Sequence, residues 1–132
     1  MISDELKDEL RIFTAHHVII RKGNSKQVNG DCPFCGKPGH FYINPENRLW
    51  DCKVCGARGN AGTFLYKMHR QYMEYLEEPE HDHLYAKLSA DRKLPIVAFK
   101  AWNVGYDPIG ECYTIPVYDG TESLCDIKRY RI

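Results

Sequence analysis

Four of the six cysteines are spaced as metal ligands. They form two pairs, Cys32-Pro-Phe-Cys35 and Cys52-Lys-Val-Cys55, which together give the pattern C-x2-C-x16-C-x2-C. Each pair places two thiolates on one tight turn, and two such turns complete the tetrahedral shell that zinc prefers. A glycine after each pair allows the positive φ with which the chain turns away from a metal. The spacing therefore predicts one structural zinc held by Cys32, Cys35, Cys52 and Cys55, with no open position for catalysis.

Other uses of these residue types remain open. His40 or His69 could take part in a different ligand shell, although four cysteines already suffice. A rubredoxin-like iron centre for electron transfer uses the same pair of turns, and redox switching of a zinc site is a third alternative. The colour of the protein distinguishes iron from zinc. The two remaining cysteines, Cys112 and Cys125, are isolated in the sequence and are predicted to be buried or half-buried thiols without a disulfide.

Basic and aromatic residues are interleaved around the cysteines. The whole chain has 18 Lys or Arg and 18 Asp or Glu, so any basic site must be local. The segment 31–70 has such an excess, and single strands are held by cations on phosphates and rings on bases. Some of these rings, Phe41 above all, are expected to pack in a core instead. The candidate DNA-binding residues are Lys37, Arg48, Lys53 and Arg58, with Trp50 or Tyr42 as the stacking ring.

The composition excludes several classes of protein. A chain of 132 residues with 43% hydrophobic residues is long enough for one ordinary domain or two small ones, and it is not a disordered tail. Its net charge of zero excludes a highly basic protein that coats nucleic acid. No apolar stretch approaches the ~20 residues that span a bilayer, and the first residues do not resemble a signal peptide. We therefore expect a reducing, cytoplasmic environment and no membrane partner.

Local patterns predict the elements that position the cysteines. An amphipathic helix is expected near the N-terminus, with Ser3 as its N-cap and Leu6, Leu10 and Phe13 on one face. A strand at 18–20, a turn at 22–25 and a return at 27–29 lead to the first cysteine pair. The segments 41–43 and 49–50 flank a turn-forming stretch, 44–47, and predict a hairpin between the pairs. This arrangement is typical of a zinc ribbon.

The second half of the chain predicts a helix, a linker and a hairpin. The apolar period over 61–77 indicates an amphipathic helix that begins after Asn60. Acidic residues and Pro79 then predict a solvated linker over 78–90. A short helix follows Pro95, and strands at 113–117 and 123–130 form a hairpin in which Ile115 pairs with Cys125. The predicted fold class is α+β. It consists of a zinc ribbon with an all-cysteine ligand shell and flanking helices, followed by a linker and a small α/β-hairpin segment. The predicted divisions of the chain are 1–77, 78–90 and 91–132.

Residues 30–65 resemble the N-terminal zinc-binding domain of bacterial DnaG-type primases and phage helicase-primases. The resemblance rests on the Cys-Pro-Phe turn, the Phe41 that opens the ribbon, the Pro45-Glu46 turn, the aromatic residue before the second pair, and the stretch Cys55-Gly-Ala-Arg-Gly-Asn-Ala-Gly-Thr-Phe-Leu65. The second ligand of the bacterial family is usually histidine, whereas this chain has Cys35, as in the phage branch. The segments 102–108, 115–120 and 127–131 resemble the start of the primase polymerase domain.

The resemblance implies a function in DNA replication. A module of this family would bind a single-stranded DNA template during RNA primer synthesis, alongside a primase catalytic domain and a replicative helicase. The alternative is a zinc-ribbon adaptor that binds a replication protein such as a helicase and has no DNA affinity of its own. The family's Toprim glutamate and Asp-x-Asp pair, which bind Mg²⁺, have no counterpart in these 132 residues. We therefore expect no polymerase activity from this chain alone, no Mg²⁺ without a downstream catalytic domain, and a bacterial or phage-infected cell as its location.

Overall fold

The fold combines α-helices with two antiparallel sheets, as the sequence predicts for its α+β class. A computed structural model describes residues 4–132. Within that range the chain divides into two compact units, one ending at Phe64 and the other spanning Leu65–Ile132. The helices of the described range include none that is both long and apolar enough to cross a membrane.

The first unit joins one helix to a five-stranded sheet. Helix α1 spans Asp4–Thr14 and buries Leu6, Leu10 and Phe13, as predicted, whereas the predicted N-cap Ser3 lies outside the described residues. The strands follow one another in sheet order: β1 Ile20–Gly23, β2 Val28–Gly30, β3 Phe41–Ile43, β4 Trp50–Cys52 and β5 Arg58–Gly59. The predicted ribbon hairpin is confirmed as β3 and β4, while the first turn lies about two residues later than predicted, between Gly23 and Val28.

Alternation along the strands separates a buried face from an outer face. In β2, β3 and β4 the first and third residues are buried and the middle residue is half-buried. Phe41 stacks on Trp50 with ring centroids 5.4 Å apart, and Phe13 and Phe34 complete the cluster with Phe64. The indole of Trp50 also donates a 2.7 Å hydrogen bond to the carbonyl of Asn60. The predicted core position of Phe41 is therefore confirmed.

Helix α2 spans Ala61–Glu77, the range that the apolar period predicts. Its N-cap is Asn60, whose carboxamide oxygen accepts a 2.9 Å hydrogen bond from the amide of Thr63. Such a cap satisfies one of the amides that the first turn of a helix leaves without a partner. The boundary between the two units falls within this helix, between Phe64 and Leu65.

The second unit surrounds a small core with helices and a three-stranded sheet. After α2 come a short 3-10 helix, Pro79–His81, then α3, Asp82–Arg92, and α4, Ile96–Ala101. The sheet has the order β6 Gly105–Asp107, β7 Cys112–Tyr118 and β8 Leu124–Tyr130. The core residues are Leu76, Tyr85, Leu88, Phe99, Val104 and Tyr113. The sequence predicted only the hairpin of β7 and β8. The observed sheet has β6 as a third strand.

The segment 78–90 differs from the linker that its composition predicts. Nearly all of it is helical, because Tyr85 and Leu88 bury one side of α3 in the core of the second unit. The hydroxyl of Tyr113 also donates a 2.7 Å hydrogen bond to the carbonyl of Leu84. The acidic residues and Pro79 occupy exposed positions. They dominate the composition of the segment, so its few apolar residues did not indicate a helix. The division of the chain at 78–90 itself remains a prediction.

The predicted register of the C-terminal hairpin is wrong. Ile115 pairs with Lys128 rather than with Cys125, and a register shift separates Val117 from Tyr118. The connection is longer than a two-residue turn, since the amide of Asp119 bonds to the carbonyl of Ser123 across it. Ile115 is exposed, whereas Thr114 and Pro116 are buried. The prediction of buried or half-buried thiols holds for Cys112 and is wrong for Cys125, which is exposed; both are free thiols.

Candidate metal centre and nucleic-acid interface

The four predicted metal ligands lie together. The sulfur atoms of Cys32, Cys35, Cys52 and Cys55 are all within 4.8 Å of one another. The separation of Cys32 Sγ from Cys55 Sγ is 3.8 Å, and that of Cys35 Sγ from Cys52 Sγ is 3.7 Å. Four sulfurs at zinc–thiolate bond length in a tetrahedron are separated by roughly 3.8 Å. The tetrad therefore fits one structural zinc, as predicted, with four protein ligands and no open coordination position.

Two similar turns hold the sulfurs. The amides of Phe34 and Cys35 each lie 3.4 Å from Cys32 Sγ, and the amide of Cys55 lies 3.5 Å from Cys52 Sγ. Amide donors of this kind orient thiolate ligands and stabilise their negative charge. Gly36 and Gly56 have φ of +77° and +78°, so the predicted need for glycine at both positions is confirmed.

Side chains of β1, of β2 and of Asp31, which directly follows β2, hold the loop after the first cysteine pair. Asn29 donates to the carbonyl of Gly39 at 2.9 Å, and the amide of Gly39 donates to Asp31 at 3.2 Å. Arg21 in turn donates two hydrogen bonds to Asp31, at 2.9 and 2.6 Å. Hydrogen bonding from Arg21 lowers the pKa of Asp31, which keeps this carboxylate ionised as an acceptor. The loop that contains Lys37 is thus positioned by β2.

As free thiols, Cys32 and Cys52 have different pKa values. Burial raises the pKa of Cys32 to about 12. Burial acts in the same direction on Cys52, but hydrogen bonds from the amides of Cys55 and Val54 outweigh it and lower its pKa to about 7. Because zinc binds thiolates, binding at this tetrad displaces protons and weakens as the pH falls.

The histidines considered as alternative ligands lie elsewhere. The tetrad that the described residues form contains cysteines alone, and His40 is exposed. His69 is 4% exposed and belongs to the second unit, and burial lowers its pKa. Its Nδ1 has no hydrogen-bond partner among the described residues. Neither histidine is part of the cysteine site.

The outer face of the ribbon sheet presents a continuous row of polar and aromatic residues. The strand pairings align five positions across β1 to β5, and we refer to them as the Tyr42 row: Lys22, Asn29, Tyr42, Asp51 and Arg58. Directly opposite residues share a face of the sheet. Tyr42 stands at the centre of the row with polar residues on both sides.

One cation lies close to the Tyr42 ring, and two others lie further along the row. Lys22 and Arg58 occupy the ends of the row, and both are exposed. Lys53 Nζ lies 6.0 Å from the centroid of the ring and 2.7 Å from Asp51 Oδ2. Hydrogen bonding to Asp51 raises the pKa of Lys53. Two shallow depressions, of about 460 and 190 Å³, border the same ring.

The predicted DNA-binding residues are only partly brought together. Tyr42, Lys53 and Arg58 meet at the Tyr42 row, whereas Lys37 is exposed on the loop after the first cysteine pair. Arg48 lies in the turn between β3 and β4, where its guanidinium is 3.4 Å from Glu9. Trp50 is 3% exposed and therefore has no ring face for a base, so Tyr42 is the candidate stacking residue.

Sequence reasoning missed Lys22, Asn29 and Asp51. The period of two already places Tyr42 and Asp51 on one face once the hairpin register is known. Lys22 required the pairing of β1 with β2, which includes an irregularity between Ile20 and Lys22. No local pattern in the sequence specifies that pairing.

Comparison with known proteins identifies similar sequences. Residues 2–91 match the model of the CHC2 zinc finger family, the zinc ribbon of DnaG. A DNA primase of Geobacillus stearothermophilus is 44% identical over 45 residues, and one of Halalkalibacterium halodurans is 42% identical over 45 residues. Each alignment covers 33% of this chain and 8% of the curated primase, so the chain matches less than a tenth of the length of these relatives.

A solved structure was also found. The zinc-binding and RNA polymerase domains of Aquifex aeolicus primase align with 99% of this chain, which covers 51% of that chain. The identity is 15% and the TM-score is 0.34.

Proposed function

This chain belongs to the CHC2 zinc finger family of DnaG-type primases, and from this membership we propose that its zinc ribbon binds single-stranded DNA template during primer synthesis. The observation that supports the proposal most directly is the Tyr42 row. A half-buried tyrosine lies between cations on an open sheet surface, which is the combination that single-strand binding uses. The structural zinc fixes the turns beside this surface and takes no part in chemistry.

Tyr42 and the cations on this face have distinct parts in the proposed complex. The ring of Tyr42 stacks on a base, because every base has a π-face and such stacking tolerates sequence. Lys22, Lys53 and Arg58 contact phosphates on both sides of that base. Because Lys53 belongs to the turn of the second cysteine pair, loss of zinc would displace one of these contacts.

Titration of a labelled single-stranded oligonucleotide by fluorescence anisotropy tests the proposal. Three phosphate contacts predict a slope of roughly −2 in log affinity against log salt concentration, from about −0.7 per contact on single strands. Tyr42→Thr, which removes the ring but keeps a residue that favours strands, should weaken binding by about 1–3 kcal/mol. Tyr42→Phe should bind like the parent because the ring remains.

A matched control separates stacking from general loss of a tyrosine. Tyr118 is 47% exposed on β7 in the second unit, and Tyr118→Thr should leave the affinity unchanged. Zinc content of one per chain in each variant shows that the ribbon is folded. If the parent protein shows no salt-dependent binding, the adaptor function replaces template binding.

A further inference from the structure

Asp51 is the one acidic member of the Tyr42 row. Its strand partners are Tyr42 on one side and Arg58 on the other. Side chains directly opposite each other in an antiparallel pair have Cβ atoms about 4.5–5.5 Å apart. A base that stacks on Tyr42 would therefore bring its hydrogen-bonding edge within reach of this carboxylate.

The surroundings of Asp51 leave it able to accept from a ligand. Its side chain is 37% exposed, and its contact with Lys53 is made by Oδ2, at 2.7 Å. Its place in β4, directly opposite Tyr42, holds the carboxylate beside the ring. An ionised carboxylate only accepts hydrogen bonds and has several lone-pair sites, so Oδ1 can accept from a ligand while Oδ2 holds the lysine.

We propose that Asp51 is a specificity-determining residue, which accepts a hydrogen bond from the amino group of a template base stacked on Tyr42. This inference rests on the proposed function, since it names the bases that the same surface prefers. Guanine, cytosine and adenine carry an exocyclic amino group, whereas thymine has one ring N–H flanked by two carbonyl oxygens that a carboxylate repels. Guanine binds best, because its ring N–H and its amino group are adjacent donors for the two carboxylate oxygens, and Oδ2 has a second lone pair besides the one that faces Lys53.

A base contact by Asp51 and a purely structural role of its ion pair with Lys53 predict different changes in affinity. If Asp51 served only to orient Lys53, its removal would change the affinity for every oligonucleotide by the same factor. If Asp51 contacts the base, its removal changes the ratio of affinities between bases. The base preference, rather than the affinity, is therefore the decisive quantity.

The experiment measures binding of four nine-nucleotide oligonucleotides by fluorescence anisotropy. Each is a DNA strand of thymidines whose central nucleoside is deoxyguanosine, deoxycytidine, deoxyadenosine or thymidine, and we name the four by that central base: guanosine, cytidine, adenosine and all-thymidine. We expect the parent protein to bind the guanosine oligonucleotide about tenfold more tightly than the all-thymidine one, with cytidine and adenosine between them. In Asp51→Asn and Asp51→Thr the guanosine preference should fall to about twofold or less.

Two further variants act as controls. Glu46→Gln removes one negative charge from an exposed turn position outside the row and should preserve the base preference. Lys53→Gln should weaken binding to all four oligonucleotides while keeping the preference for guanosine. Loss of the preference in Lys53→Gln as well would show that Asp51 acts through the lysine and would overturn the proposal.

The remaining outcomes separate this inference from the proposed function. Equal, salt-dependent binding of all four oligonucleotides that still requires Tyr42 would overturn the role of Asp51 and leave template binding in place. An unchanged guanosine preference in Asp51→Asn and Asp51→Thr would do the same. Absence of binding to every oligonucleotide would overturn both.

Discussion

At the scale of single residues, we expect the cysteine tetrad to keep its zinc when Cys35 is replaced by histidine and to lose it when Cys52 is replaced by alanine. Cys35 is half-buried, and the bacterial family that the sequence resembles usually has histidine as the second ligand, so Cys35→His should retain one zinc per chain. Cys52 is buried in β4 next to the aromatic cluster, and Cys52→Ala should lose the metal and unfold the ribbon, because ligand binding supplies much of the folding free energy of small metal domains. Elemental analysis and circular dichroism measure both.

Two results would contradict the prediction of a zinc tetrad. A red protein that contains about one iron and no zinc would show an electron-transfer centre instead. Zinc retained by Cys52→Ala at one per chain would show that the four sulfurs do not act as a single site.

A buried ion pair in the second unit predicts a large stability effect. The side chain of Asp107 is 1% exposed; it accepts from Arg129 at 2.6 Å and from the amides of Ile109 and Gly110. Although burial acts to lower the pKa of Arg129, Asp107 raises it above its usual value. Asp107→Ala removes the carboxylate that faces a half-buried guanidinium and should cost about 3–5 kcal/mol in the free energy of unfolding.

Urea denaturation of the Asp107 variant measures this cost. The matched control is Asp126→Ala in the same sheet, an exposed carboxylate on β8 whose loss should change stability by about 0.5 kcal/mol or less. Equal stability losses in the two variants would contradict a special role for the buried pair.

At the scale of elements, α3 is where the composition and the structure give different expectations. A solvated linker would be cut by trypsin after Lys87, whereas the structure places Lys87 in the middle of α3 beside the buried Leu88. We expect protection at Lys87 and faster cleavage after Lys93, which ends the helix with a φ of +56° and precedes an exposed stretch.

Mass spectrometry of a brief digestion identifies the two cleavage sites. Both follow an exposed lysine, so they differ in backbone structure rather than in accessibility of the side chain. Cleavage at Lys87 as fast as at Lys93 would support the flexible connection over 78–90 that the composition predicts.

At the scale of the whole molecule, zinc should stabilise one unit and not the other. Each unit has one tryptophan, the buried Trp50 in the first and the 55% exposed Trp102 in the second. In the Trp102→Phe variant, removal of zinc by a chelator should shift the fluorescence of Trp50 to the red, because the ribbon unfolds around it. In the Trp50→Phe variant, the emission of Trp102 should remain unchanged.

Acidification should act in the same direction as the chelator. Zinc affinity falls as the pH falls, because each thiolate ligand is in competition with a proton and burial makes Cys32 hold its proton strongly. The Trp50 signal should therefore change between about pH 8 and pH 5 at a limiting zinc concentration, and added zinc should restore it. A change that zinc does not reverse would indicate acid unfolding by another route.

The sequence by itself determined the features that depend on residues close together in the chain. The cysteine spacing predicted the metal tetrad, because a tetrahedral shell of thiolates imposes its own local turns with glycine after each pair. The turn-forming stretch 44–47 predicted the ribbon hairpin, and the apolar period predicted α2 from Ala61 to Glu77. Each of these signals is complete within one element or one turn.

Only the tertiary structure decided the features that depend on distant partners. Strand β6 and the register of β8 follow from packing on both sides of β7, which is the central strand of its sheet. Trp50 is buried because rings from three other segments surround it, and local sequence cannot report that. The Tyr42 row, with Asn29 and Asp51 beside Tyr42 and Lys22 at one end, exists because five short strands align in register. Pairing between strands is set by the total burial of one face, a property that no single segment carries.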